Sequence, residues 1–469
     1  MNERRRRAGL TVFISLIVLA RVGLPARARY AGGTGTADDP YLIETAGQMN
    51  TIGLYPEDGD KHFRLTADLD MNDLAGTAVN LIGAFRGVFD GNGHTIANLT
   101  YRVTDADAWP EMPYVWGIGL FRGVLGGEAL VKDLGLVHVD LQPGPDCTKE
   151  VRSVGALVGM LSQGWVRNCH VEGGRVIGSS SVGGLVGECR DNGAVSGSWS
   201  SAEVSGDFGI GGLVGDGHQR AQMWQCRAWA RVSGRCNTGG LVGGWYQECT
   251  IDDCFATGTV TAVQQAGGLV GFLSGSVSHC YSTAPVSADS LLVGGLVGIN
   301  SGLITASWAG GDVAGGDTVG GLVGWNMVGD GFFVPYFDTT VADCYASGTV
   351  RGQSIVGGLI GENEGTVLRC YAVGTVTVSK ANGLAGGLVA ANKFDPAWGV
   401  RNCFWDTTTS GVLVSEGGTG SATAAMQDLA TYLAAGWDFA DETVNGTEDL
   451  WKITGDPPAY PKLAWEQAP

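Results

Sequence analysis

The chain has 469 residues, 78 of them glycine, with 44% hydrophobic composition and 29 basic against 47 acidic residues, for a formal charge of −18. That balance excludes the basic face that phosphate binding needs, so nucleic acid is not an expected partner. It suits solubility outside the cell and, at most, divalent cations such as calcium.

Residues 1–28 read as a signal peptide: Arg4 to Arg7 form a basic start, Leu10 to Ala20 an apolar run, and Ala26-Arg27-Ala28 a cleavage site. The run is too short to span a bilayer, and Arg21 interrupts it. The stretch up to Arg29 holds seven arginines and one acid, so without it the charge deepens to −24. A secreted or cell-surface protein is expected.

Residues 29–82 are expected to form an N-terminal cap and first strands. A strand is predicted at Tyr41–Ile43, then helical turns within Ala46 to Leu54 with Met49 and Ile52 on one face, covering the open end of a larger structure. Phe63 to Met71 alternates as a strand does, acids outward. Asp68, Asp70 and Asn72 have the spacing that opens a calcium loop, but Asp73 stands where the sharp-turn glycine belongs and Val79 where the bidentate glutamate belongs. The alternative is a solvated strand edge and turn. Asp90-Gly91-Asn92-Gly93 reads as a tight turn and His94 as a corner residue, with no acidic companion nearby in sequence.

From residue 83 to 406 the chain counts itself out. The phrase Gly-Gly-Leu-Val-Gly, or a close variant, begins at Gly155, Gly183, Gly211, Gly239, Gly267, Gly294, Gly320, Gly357 and Gly386, with Ile118-Gly119-Leu120-Phe121 a divergent early copy. Successive copies lie mostly 26 to 29 residues apart, a period of repeat architectures. The units are rich in Gly, Val, Thr and Ser in alternation and lack helical stretches, which predicts strands. Each unit has a contour of roughly 90 Å, enough for one coil of three short strands. The expectation is an all-β parallel β-helix, right-handed, of about 11–13 coils with short helical caps at both ends.

Half a repeat after the phrase comes a companion, as in Cys226-Arg-Ala-Trp-Ala-Arg-Val232 or Cys344-Tyr-Ala-Ser-Gly-Thr-Val350. Alternate positions face opposite ways in a strand, and one set (Cys226, Ala228, Ala230, Val232) never carries a charge, so it should face the core. Seven cysteines (Cys169, Cys226, Cys254, Cys280, Cys344, Cys370, Cys403) then form one buried column in which Ser198 and Ser307 substitute. Cys147, Cys189, Cys236 and Cys249 lie off it, and no CxxC pair suggests zinc. The other set opens with Trp199, Phe255, Tyr281, Trp308, Tyr345, Tyr371 and Phe404, interrupted by Arg227 and preceded by His170. Stacked coils would carry these rings as an outer column, which either receives sugar rings or stabilises the sheet by packing on itself.

The phrase with its companion resembles the GLUG repeat of secreted bacterial proteins, among them adhesin-like surface proteins and the N-terminal parts of some immunoglobulin-A-cleaving metallopeptidases. The resemblance implies the repeat fold and an extracellular setting. It does not bring the peptidase activity, since the six histidines form no H-E-x-x-H.

The coil from Gly320 is longer than its neighbours, and Gly329 to Phe337 supplies the excess. Its Phe332 and Tyr336 either grip a ligand or fold back over the aromatic column. Residues 407–469 are expected to be a C-terminal cap with one helix over Thr423 to Ala435. Two functions stand: a non-catalytic surface β-helix that binds glycan, matrix or surface proteins, or a polysaccharide lyase or glycosidase. The second needs paired carboxylates beside a basic residue, whereas Glu188, Asp216 and Glu362 look scattered and the regular coils hold only Lys380 and Lys393.

Overall fold

The computed structural model describes residues 29–74, 78–107, 117–329, 339–393, 399–453 and 459–466. Residues 1–28, for which a signal peptide is expected, and Phe332 and Tyr336 lie outside the described residues. The chain is a parallel β-helix. A regular coil runs Ala194–Ser196, Trp199–Ser200, Glu203–Ser205, Phe208–Gly211 and Val214–Gly217, and each strand pairs with its counterpart one coil on. Thus Val186, Val214, Val242 and Val270 are successive parallel partners in one row.

The strands assemble into four long sheets. Taken in order around a coil, sheet one has thirteen strands, from Tyr41–Ile43 to Val400–Arg401. Sheet two takes two short strands from most coils, while the earlier Gly135–Pro143 and His170–Ile177 each span both segments. Sheet three has nine strands and sheet four eleven.

The expectation of three strands per coil is therefore corrected to five segments. The repeated phrase is itself a corner: Gly183 ends one strand, Leu185 turns its side chain inward, and Val186 begins the next. A contour length fixes the size of a coil but not its number of bends, and these corners cost one or two residues without a loop signature. Glycine is required at the bend, because a Cβ on Gly211 would run into the carbonyl oxygens of Val214 and Leu241.

The interior is a set of columns. Leu185, Leu213, Leu241, Leu269, Leu296, Leu322, Leu359 and Leu388 are all fully buried, each contributing about 1.5–3 kcal/mol of burial. The seven cysteines of the companion are buried in their own column, and all eleven cysteines are free thiols. One inner row of sheet four changes character midway, from Leu161, Cys189, Gly217, Trp245 and Leu273 to Asn300, Asn326, Asn363 and Asn392. Those four asparagines pass amide hydrogen bonds up the row at 2.7, 2.7 and 3.0 Å. This satisfies buried polar groups that would otherwise be costly.

At the N-terminal end, Thr45 caps the helix Ala46–Ile52, which buries Met49 and Ile52. At the other end the cap also begins with a short helix, Thr407–Ser410, but the single later helix is divided. Thr423 to Ala435 is two short helices, Thr423–Met426 and Leu429–Leu433, because Asp428 starts a new one by accepting from the Ala430 amide. Only the segment before them caps the solenoid: Val414, Glu416 and Thr419 bond to Gly387, Val389 and Cys403 of the last coils. From Thr423 on, the chain turns back and runs along the flank of the solenoid.

Candidate functional site

The flank it covers is the outer aromatic column. Successive rings stack face to face: Phe255 on Tyr281 at 4.7 Å, Tyr281 on Trp308 at 4.8 Å, Trp308 on Tyr345 at 5.5 Å and Tyr345 on Tyr371 at 5.0 Å, with interplanar angles of 13°, 4°, 5° and 5°. Coil register forces this, since Phe255, Tyr281, Trp308, Tyr345 and Tyr371 are direct partners. Rings so stacked spend both faces on each other. They offer an incoming sugar only edges.

The column is also not uniformly exposed, contrary to its reading as a row of rings turned to solvent. Tyr345 and Tyr371 are 0% and 1% exposed, and Phe404 is buried. Over them lies the returning chain, with Tyr432, Trp437, Phe439, Trp451 and Leu463 forming a second hydrophobic cluster on the outside of the solenoid. Its polar ends are tied down. Trp437 donates to the Asn402 carbonyl at 2.8 Å, Trp465 to that of Ala306 at 3.0 Å, and Tyr371 to that of Pro461 at 2.5 Å. Tyr345 donates to Glu466 at 3.0 Å and accepts from Lys462 at 2.9 Å. Burial first, then the Glu466 charge, pushes the Tyr345 hydroxyl far above its ordinary pKa. Trp465 reaches as far as Tyr281, 6.4 Å away, and there the roof ends.

Upstream the column is open. His170 stacks on Trp199 at 4.6 Å and 9°, and burial holds its imidazole below the ordinary pKa. Arg227 takes the next place and lies over the Phe255 ring at 5.4 Å. Beside them stands Trp229, where neighbouring coils have Ser201 and Thr257. It is 41% exposed and roughly perpendicular to its neighbours, at 68° to Trp199 and 73° to Phe255. Arg231 is exposed two residues on, and among the described residues neither Arg227 nor Arg231 has a carboxylate within ion-pair reach. Sequence reasoning placed Trp229 in the outward set but did not single it out. The signal was available, as an aromatic standing where the repeat has Ser or Thr.

Glu188 and Asp216 are not scattered as the sequence suggested. They are register partners in sheet four, one coil apart, with Arg190 3.5 Å from Glu188. Glu362 is in the same row much farther along, ion-paired with Lys393. Asp216 accepts from Ser181 at 2.6 Å and Glu188 from Ser153 at 3.0 Å. Burial raises the Asp216 carboxyl to about 7, with the Glu188 charge adding to the rise. Tyr246, itself stacked on His218 at 4.8 Å, folds over Gly244 in the next coil of that row. Two carboxyls a coil apart are what glycoside hydrolysis employs, but Asp216 is buried and engaged by the Ser181 hydroxyl.

The calcium candidates are also engaged. Asp68 accepts from the Thr95 amide at 2.8 Å and lies 3.2 Å from His94, giving that histidine the acidic companion its sequence neighbourhood lacks. Asp70 accepts from Asn72 and Asn98, each at 2.9 Å. These carboxylates tie turns to the following coil, and no cluster of three metal-ligating side chains occurs among the described residues.

Comparison with known proteins places the repeat. The GLUG motif matches residues 234–261 and 315–351. A segment of 170 residues, 34% of this chain, is 33% identical to a protein of Evansella cellulosilytica described as a Gly-rich membrane protein, and covers 18% of it. Another of 176 residues, 35% of this chain, is 30% identical to halomucin of Haloquadratum walsbyi and covers 2% of it. The chain thus spans less than a fifth of these relatives' length. A crystal structure described as that of an immunoglobulin A1 protease from Bacteroides ovatus aligns over 94% of this chain and 96% of its own, at 17% identity and a TM-score of 0.35.

Proposed function

We propose that this solenoid, in which the GLUG motif matches residues 234–261 and 315–351, is a non-catalytic, exported surface protein that binds extracellular polysaccharide at the open end of its aromatic column. The observation that carries this reading is the difference in cover along the column. The chain returning from Thr423 roofs the later rings and, among the described residues, stops short of Trp199, Trp229 and Phe255. There Trp229 turns away from the stack, between two arginines that have no acidic partner among the described residues. An aromatic face flanked by guanidinium groups suits the carboxylates or sulfates of an acidic glycan.

The acidity of the whole chain does not oppose this. Screening confines charge effects to about 8 Å at physiological ionic strength, so the local arginines decide. The surface setting agrees with the relatives described as a membrane protein and a halomucin. No described helix is long and apolar enough to cross a membrane.

Tryptophan emission during titration with polygalacturonate and with a neutral glucan tests the reading. Saturable quenching by the acidic chain is expected, lost in Trp229→Ala and weakened in Arg227→Ala with Arg231→Ala. Flat titrations with both polymers would remove it.

A further inference from the structure

We propose a second site, away from the aromatic column. The furrow where sheet four turns into sheet one, in the coils from Gln163 to Leu303, takes a neutral oligosaccharide laid along the solenoid axis. This rests on the reading above that the solenoid binds polysaccharide, and it adds both a place and a class of ligand.

Two shallow cavities of about 440 and 340 Å³ meet at Glu248. The first is lined by Gln163, Asn192, Gln219 and Gln247 with three charged residues, the second by Ser274, Ser276 and Leu303 among others. From Gln163 to Leu303 the furrow crosses five coil steps, roughly 24 Å at ~4.8 Å each. That is the length of an oligomer rather than a single sugar.

The turns explain the lining. Gln163, Asn192, Gln219 and Gln247 all sit in left-handed backbone, with φ of 63°, 65°, 53° and 53°. Each is exposed, and none of the four side-chain amides makes a hydrogen bond among the described residues. An amide offers a donor and an acceptor together, which matches a sugar hydroxyl. In the later coils the asparagine row closes the corresponding corner instead, and the amides of Asn300, Asn326 and Asn363 are hydrogen-bonded within the protein.

An aromatic pair stands next to the first lining residue. Trp165, two residues past Gln163, is 38% exposed, and Trp224 braces it edge-on at 5.9 Å and 81°. They meet because the coil between them places only Ala194 and Ser196 in those rows. A fixed aromatic beside a few convergent polar groups is the usual make-up of a ligand site. The charges in the furrow answer each other or the protein: Arg220 pairs with Glu248 at 3.0 Å, and Asp191 accepts from Ser162 at 2.7 Å. Nothing there favours an anionic chain, which separates this ligand from the one expected at Trp229.

The test titrates the full chain with cello-, xylo-, manno- and chitohexaose by calorimetry. At least one hexasaccharide should bind, with Kd raised at least tenfold in the Gln163→Asn, Gln219→Asn double variant and in Trp165→Ala, and unchanged in Trp229→Ala. Asparagine accepts left-handed backbone readily, so the double variant shortens the reach of the amides without disturbing the turns. If none of the four binds, or the double variant stays within twofold of the parent, the furrow site is wrong. Quenching by polygalacturonate through Trp229 would still stand in that case. Loss of both responses would sink this site and the proposed function together.

Discussion

In the coils from His170 to Phe255 the outer aromatic position stands at the surface, whereas from Tyr345 to Phe404 the same position is buried as deeply as the solenoid's interior. The local sequence follows one pattern in both stretches, a cysteine or serine, a ring and a small residue, as in Ser198-Trp199-Ser200 and Cys370-Tyr371-Ala372. What differs is chain that arrives later, with Trp437 and Trp451 laid over one half and, among the described residues, no such cover over the other. A repeat position therefore specifies which way a side chain points, and the rest of the chain decides whether that direction is solvent. The halves also differ at the corner after sheet four, polar and open before Asn300, and closed by an amide ladder from there on.

The comparison holds only if both halves share one core, and the largest effect tests that. Leu185→Asp puts an unpaired charge among fully buried neighbours, so the loss should exceed about 4 kcal/mol. Calorimetry should show the surrounding coils no longer melting cooperatively. An unchanged transition would mean the leucine column is not the core. Next comes the roof. Trp451 is fully buried, 4.6 Å from Trp437 and 6.0 Å from Tyr371, so Trp451→Ala should cost about 3–5 kcal/mol. Trp229→Ala, in the open half, should stay within about 0.5 kcal/mol. Urea titrations giving equal costs would abolish the distinction between the halves.

Much of the fold was legible because solenoid repeats write their geometry locally. The parity argument on Cys226 to Val232 placed the inner and outer faces correctly, and Tyr41–Ile43 and the helix beginning at Ala46 stand where propensity and patterning put them. The roof was not legible, because its contacts join residues as far apart as Ala306 and Trp465 with no period to announce them. The pairing of Glu188 with Asp216 follows from counting 28 residues along the chain, and scattered spacing hid it only while the acids were read linearly. The asparagine ladder had a signal too: Asn300, Asn326 and Asn363 each stand three residues after the Val or Ile of the repeated phrase.

The open half also carries a pH dependence near neutrality. Burial, with help from the Glu188 charge and against the Ser181 hydrogen bond, raises the Asp216 carboxyl to about 7. The folded state keeps a proton that the unfolded chain releases near pH 3.9. Its contribution to stability is complete below that value and is lost as pH rises through 7. Over this window stability should fall by up to about 1.4 kcal/mol per pH unit. Asp216→Asn should flatten the profile, as read by urea midpoints between pH 5 and 8. An unchanged slope would show that Asp216 is ionised when folded.

A small effect makes the sharpest check on where the two halves differ. If the roof alters only the outer face, a change on the inner face should cost the same under it and away from it. Cys254 lies in the open half and Cys370 beneath the roof, and their thiols donate to the Asp252 and Leu368 carbonyls at 3.2 Å each. Serine already occupies this column: Ser198 donates to Ser196 at 2.8 Å and accepts from the Cys169 amide at 3.1 Å, and Ser307 does likewise with Thr305 and Cys280 at 2.7 and 3.1 Å. Cys254→Ser and Cys370→Ser should each inherit those bonds, and each should cost no more than about 1 kcal/mol. Matched urea midpoints are the expected result. A markedly larger loss for Cys370→Ser would mean that the roof's packing is transmitted through Tyr371 into the interior, so that the covered half is a different core and not the same core with a lid.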